Sequence, residues 1–174
     1  MQKIDPIAVT FADDGQFPNS RYPVLVYPKA IEAREVSPER LEALFAGNGW
    51  PPQWRSGIYP FHHYHSTAHE CLGVARGSAT VMLGGPNGRE FHLGAGDVVV
   101  IPAGVAHQRI MASADFLVVG AYPRGHEDWD IRRGNPEDRP KADHNIANVP
   151  LPESDPAGGP KGALLRLWRG VSPI

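Results

Sequence analysis

The feature that most constrains this chain is a run of short apolar segments, each cut off by a turn signal, between residues 58 and 122. The segments span 58–65, 70–75, 79–83, 90–93, 97–101, 106–111 and 116–122, and their separators read RGS, GGPNG, GAG, PAG and SAD. Strand-length runs at this spacing predict an all-β antiparallel sandwich or barrel. Glycine (19) and proline (18) support that reading, because both interrupt long helices. At 174 residues the chain has room for one domain with a real core.

The flanks add fewer elements. Residues 7–11 read as a short strand. The YPVLVY run at 22–27 reads as another, expected at a sheet edge because Pro23 has no N–H for a ladder. Ser37 is placed to cap a helix, with Pro38 at its first position and Leu41, Leu44 and Phe45 as its apolar stripe. Gly47 is expected to stop it. Trp50 and Trp54 are expected to plug the end of the fold, since tryptophans mostly serve packing, with stacking against a ligand as the alternative. Beyond Pro123 the chain is polar and Pro/Gly-rich. There Trp129, Ile131, Ile146, Val149 and Leu151 are spaced as anchors of an extended arm lying on the barrel or on a partner subunit. The LLRLWR run at 164–169 alternates as a last strand would. The expected organisation is one domain: strands and helix over 1–54, motif-bearing barrel over 55–122, arm and last strand over 123–174.

Composition narrows the function classes. The net charge is -2 and the basic residues are scattered, so no footprint for nucleic acid is visible. No window is long and apolar enough for a bilayer, and residues 1–17 lack the apolar run of a signal peptide. The single cysteine, Cys71, excludes an internal disulfide and fits a reducing compartment. A cytoplasmic location is the expectation.

Four of the eight histidines, His62, His63, His65 and His69, crowd into GIYPFHHYHSTAHECLGVARG at 57–77. Core packing explains this poorly, because imidazoles are costly to bury without partners. His63 and His65 are two residues apart, so on an extended backbone both point to one face. Glu70 follows a short turn later. His62 and Tyr64 alternate out of phase and should face away. Cys71, next to Glu70, should turn to the opposite face and pack.

The glycines and histidines form two blocks. The first is Gly57-x5-His63-x-His65-x4-Glu70-x6-Gly77, and the second Gly96-x5-Pro102-x-Gly104-x2-His107. Together they closely resemble the two motifs of the cupin superfamily, over roughly residues 55 to 122. The flanking HHYHSTAHE and GAYPRGHEDWD segments resemble small single-domain bacterial cupins without an assigned reaction. One position departs, since Met111 stands where the family's second block ends in asparagine. That asparagine is not one of the family's metal ligands.

The resemblance implies a double-stranded β-helix of jelly-roll type, to which the residue patterns above add one short N-terminal helix and an extended C-terminal arm. It implies a metal near one mouth, held by His63, His65, Glu70 and His107. Three imidazoles and a carboxylate suit a divalent transition metal such as Mn, Fe, Ni or Zn. A shifted turn would instead present His69 in place of Glu70. His92, His126 and His144 have no partners at ligand spacing. Gly77, Gly96 and Gly104 sit where tight turns need positive φ.

Strand phase extends the inward face to Arg109 and Met111 beyond His107, to Phe61 and Tyr59 before His63, and to Leu72 and Val74 after Glu70. Arg109 is shaped to clamp a substrate carboxylate, or else to pair with an internal acid. No dedicated general base stands out, and Tyr59 or a metal-bound hydroxide is left to take that role. The expected function is a metal-dependent enzyme, of dioxygenase or isomerase type, acting on a small organic acid or polyol. The alternatives are a non-catalytic small-molecule binding or sensing module and a barrel with a structural metal. A homodimer is expected, as in many cupins.

Overall fold

A computed structural model describes residues 5–171. In chain order the strands are β1 (Ile7–Phe11), β2 (Ser20–Tyr27), β3 (Pro52–Ser56), β4 (Glu70–Arg76) and β5 (Ser78–Leu83). They continue with β6 (Arg89–Gly94), β7 (Val98–Ile101), β8 (His107–Ala112) and β9 (Leu117–Ala121). Helix α1 (Pro38–Gly47) precedes β3, while α2 (Arg139–Asn148) and α3 (Ala163–Arg169) follow β9. The strands form a six-stranded sheet in the order β1-β2-β7-β4-β9-β3 and a three-stranded sheet in the order β6-β5-β8. Every pairing is antiparallel. This is the all-β jelly roll expected of the chain. No helix among the described residues is long and apolar enough to cross a membrane.

The central strands β4 and β7 of the large sheet are buried on both faces, which explains their near-continuous apolar runs. On β4 and β7, Leu72, Val74, Val99 and Ile101 face inward to the core between the sheets. Their neighbours Cys71, Ala75, Val98 and Val100 face outward into a second core with Leu41, Phe45, Leu164 and Trp168 of the helices. Each such aliphatic or aromatic side chain stabilises the fold by about 1.5–3 kcal/mol when fully buried. Gly73 lets α1 approach β4 closely, since a Cβ there would lie 2.8 Å from Phe45 and 2.9 Å from Leu41.

Several elements differ from expectation. Residues 58–65 do not form a strand. Pro60 has no N–H to donate, and only His63 and Tyr64 make isolated bridges, to His107 and Arg132. Strand β2 is interior, between β1 and β7. Pro23 is tolerated there because the β1 ladder shifts register opposite it and the β7 ladder covers only Leu25 to Tyr27. Strand β3, with no clear apolar alternation, was not expected.

Helix α1 is capped by Ser37, whose hydroxyl accepts from the Arg40 N–H. It ends at Asn48, and the left-handed residue is Gly49 (φ 81) rather than Gly47. Gly77, Gly96 and Gly104 do have positive φ. At Gly96 a side chain is also excluded by the Ile31 carbonyl oxygen, 2.0 Å from where a Cβ would sit.

The largest correction concerns 164–169, which is helical. Leu164, Leu165 and Trp168 fit one helix face as well as they fit alternation, and that face buries against the large sheet. The Asp155 carboxylate accepts from the Leu164 N–H in the helix's first turn, and Arg166 and Arg169 lie in its last turn. The arm is therefore partly helical and packs on the barrel. Of its expected anchors, Trp129 stacks on Tyr122 and Ile146 packs against Phe17, Tyr64, Ala106 and Ala142. Ile131 and Leu151 are exposed.

Candidate metal centre

His107 opens β8 and exchanges two backbone hydrogen bonds with His63, of 2.9 and 3.1 Å, so their rings lie side by side with centroids 4.0 Å apart. Pairing would then continue from Arg109 to Phe61. Instead Arg109 N–H donates to the Tyr59 carbonyl at 3.0 Å, and the Phe61 carbonyl turns to the His63 imidazole. His65 is fixed from the turn before β8, where Gly104 N–H donates to its carbonyl at 2.8 Å. Gly104 has φ 98, and a Cβ there would lie 2.4 Å from the Asn19 carbonyl oxygen.

All three rings are oriented in the same way. Nδ1 of His63 lies 3.0 Å from the Phe61 carbonyl and Nδ1 of His107 3.1 Å from the Val105 carbonyl, while Nδ1 of His65 meets the Asp130 carbonyl. A carbonyl only accepts, so each Nδ1 carries the proton and, in the neutral ring, Nε2 is left as a free lone pair. Backbone carbonyls commonly fix metal-binding imidazoles in this way. The three buried rings present ligand atoms within 4.8 Å of one another, a set that can hold a metal ion.

Glu70, the first residue of β4, is buried beside them. Its Oε2 lies 2.9 Å from His65 Nε2, and its Oε1 lies 3.1 Å from His107 Nε2. Burial alone would raise the carboxyl pKa, but His65 and His107 hold it well below the ordinary range. Burial, reinforced by His107, pushes His63 down to about 3 and so keeps it neutral. At His65 burial acts in the same direction but is outweighed by Glu70, and the net shift is upward. A carboxylate facing two imidazole nitrogens calls for a cation between them, a proton or a metal ion. Neutral imidazoles with one carboxylate and no thiolate make a donor set suited to borderline divalent ions, so the residues fit the metal that the motifs imply. His63, His65 and His107 are mutually close, and Glu70 reaches two of them.

The cluster floors a cavity of ≈ 620 Å³ walled by Trp54, Ile58, Leu72, Trp129 and Ile131. Arg109 lines it, and among the described residues no carboxylate lies within 4.0 Å of its guanidinium. Tyr59 also lines it but is 49% exposed, stacked on Phe61 and edge-on to His63. Met111 is not inward. The β5–β8 ladder shifts register between Val81↔Arg109 and Thr80↔Met111, which reverses strand phase and leaves Met111 65% exposed. Leu72 and Val74 do face inward, and Cys71 is buried on the opposite face.

The other histidines lie outside the cluster. His62 packs on Phe17. His69 accepts from the Ala103 N–H through Nδ1 and faces the Pro150 carbonyl through Nε2, so both its nitrogens are occupied and it does not take the place of Glu70. His92 bonds Thr80 on the small sheet.

Three residues at the site, Tyr122, Trp129 and Asp130, were not expected from the sequence, while Trp54, expected as an end plug or a ligand-stacking ring, lines the cavity. Tyr122 donates its hydroxyl to Glu70 Oε2 at 2.6 Å, and Trp54 donates its indole N–H to the Tyr122 oxygen at 3.0 Å. Trp129 stacks on Tyr122 and meets His65 edge-on. Asp130 anchors that segment through Ser66 and Arg132. The phase of β9, with Val118 inward, pointed to Tyr122. Nothing local pointed to Asp130, sixty-five positions from His65.

Comparison with known proteins follows the same lines. A cupin domain family model matches residues 51–120. The chain is 38% identical over 159 residues to the uncharacterized protein YjlB of Bacillus subtilis (strain 168), covering 91% of this chain and 93% of that one. Among solved structures, the vicilin from Solanum melongena is 25% identical with a TM-score of 0.36, over 45% of this chain. The chain spans only 24% of that vicilin's length. Acireductone dioxygenase from Bacillus anthracis, with a cadmium ion in its active centre, is 14% identical with a TM-score of 0.36, over 51% of this chain and 60% of its own.

Proposed function

The chain belongs to the cupin superfamily, and on that premise we propose that it is a metal-dependent enzyme acting on a small organic acid. The ligands are His63, His65, Glu70 and His107. The observation that carries this reading is the common orientation of the imidazoles, with each Nδ1 on a backbone carbonyl and each Nε2 turned to the same buried point.

A divalent ion there supplies Lewis acidity to a substrate oxygen. The chain's own residues do the rest. Arg109, with no acidic partner among the described residues, clamps the substrate carboxylate from the cavity wall. Trp54, Ile58, Leu72 and Trp129 exclude water and so strengthen the electrostatics of the floor. Tyr122 holds a proton at its hydroxyl oxygen beside Glu70, and burial together with the Glu70 charge raises its pKa, so it stays protonated. That protonated phenol suits a proton donor better than a base. Tyr59, at the mouth, is the group left to accept a proton.

The proposal is tested with Arg109→Met in the metal-loaded protein. Affinity for simple carboxylates, read by calorimetry, should fall about tenfold to a hundredfold, in keeping with loss of a charge-assisted hydrogen bond, while metal content is unchanged. Unchanged affinity would remove Arg109 from the site. A metal-loaded protein that binds carboxylates and turns none over would favour the binding-module reading.

A further inference from the structure

Tyr122 and Trp54 are linked to Glu70 by hydrogen bonds whose directions follow from chemistry. An indole N–H only donates, so at 3.0 Å the Tyr122 oxygen accepts from Trp54. The remaining partner of that hydroxyl is Glu70 Oε2 at 2.6 Å, to which its proton therefore points. The indole is placed by β-sheet register. Trp54 on β3 lies opposite Gly120 on β9, and a Cβ at Gly120 would come within 2.1 Å of the Trp54 ring. Only a bare backbone lets the ring lie flat there and reach Tyr122, just past the end of β9. The three side chains come from β3, the end of β9 and the start of β4, so the relay crosses three adjacent strands of the large sheet.

We infer that Trp54 and Tyr122 are positioning residues for the carboxylate ligand: they hold a phenol proton on Glu70 Oε2 and leave Oε1 as the oxygen offered to the metal. The inference rests on the ligand set proposed above. A carboxylate with one oxygen held by a strong donor cannot swing freely to bind through both oxygens, and its donor strength is tempered. The relay thus sets how Glu70 binds, whereas the imidazoles set where the ion sits. Tyr122 acts through Glu70 and Trp54 acts through Tyr122. The order of the relay makes that second dependence measurable.

The experiment is Co(II) titration of the purified chain, of Tyr122→Phe, of Trp54→Phe and of the double variant, read by visible absorption, with a thermal melt of each metal-free protein. Tyr122→Phe should weaken Co(II) binding about tenfold to a hundredfold and alter the ligand-field bands, the range found when groups hydrogen-bonded to metal ligands are removed. Trp54→Phe should shift both in the same direction by a smaller factor. In the Tyr122→Phe background, Trp54→Phe should change neither further, because its effect passes through the hydroxyl. Bands and affinity like those of the unaltered chain in Tyr122→Phe, or independent additive losses in the double variant, would overturn the inference. If Tyr122→Phe does not fold, unchanged bands in Trp54→Phe would overturn it alone. No Co(II) binding by the unaltered chain would instead remove the metal reading and the inference with it.

Discussion

Among the described residues two buried tyrosine–carboxylate pairs stand out, and they do different work. On the outer face of the large sheet, the Tyr27 hydroxyl donates to Asp155. In the barrel, the Tyr122 hydroxyl donates to Glu70. In both, burial and then the neighbouring carboxylate raise the phenol pKa. The difference lies in what else the carboxylate meets. Asp155 accepts from the backbone N–H groups of Ala157, Gly158 and Leu164 at 2.7–3.0 Å, so its lone pairs are satisfied within the fold. Glu70 meets His65 and His107 through nitrogens that their own hydrogen bonds leave as acceptors. The first pair is a closed structural joint holding the arm to the barrel. The second is incomplete without a cation.

Substitutions at the two carboxylates should separate these roles. Asp155→Ala leaves Tyr27 and three backbone donors without their acceptor. It should lower stability by about 3 kcal/mol or more, read as a shift in the urea midpoint, with metal content per folded chain unchanged. Glu70→Gln should do the reverse, weakening metal binding by about a hundredfold and shifting the urea midpoint of the metal-free protein less than Asp155→Ala does. If both variants lose stability equally and neither loses metal, the two pairs are alike and the distinction fails.

Acid should sharpen the contrast further. Burial holds His63 and His69 down to about 3, against about 6.5 in the unfolded chain. Between those values the unfolded chain binds the extra protons, so these residues give stability that is present above pH 6.5 and is lost as pH falls toward 3. Glu70, depressed below its ordinary value, acts in the same direction at lower pH. His65, raised, works in the opposite sense. The metal-free protein should therefore lose stability between pH 6.5 and 4.5, and the metal-loaded protein should lose it more steeply because protons compete for the ligands. Parallel urea series at fixed pH measure this, and equal slopes with and without metal would contradict it. The smallest effect is expected at His62, which packs on Phe17 away from the cluster, so His62→Ala should leave metal content unchanged.

Much of this was legible in the sequence because it depends on period and spacing. Turn signals placed seven segments, and six of them are strands within a residue or two of their expected ends. The two-residue spacing put His63 and His65 on one face, while Glu70 and His107 entered as ligands through the resemblance of the two motif blocks. Legibility failed where one pattern fits two structures or where distant segments decide. Leu164, Leu165 and Trp168 satisfy a period of two and one of 3.6, and only the apolar sheet beneath α3 selects the helix. A register shift reversed the phase at Met111, and no local residue type announces such a shift. Asp130 and Trp129 reach the site from the arm, through contacts that no spacing rule describes.

The central claim is that the buried imidazoles form a metal centre. Its most direct test is elemental analysis of the chain purified without an affinity tag, beside His63→Ala and His107→Ala, after exposure to divalent metal and removal of excess. The account predicts about one equivalent of ion per unaltered chain, in line with one cluster of ligands, and almost none in either variant. Equal metal content in all three proteins would contradict it.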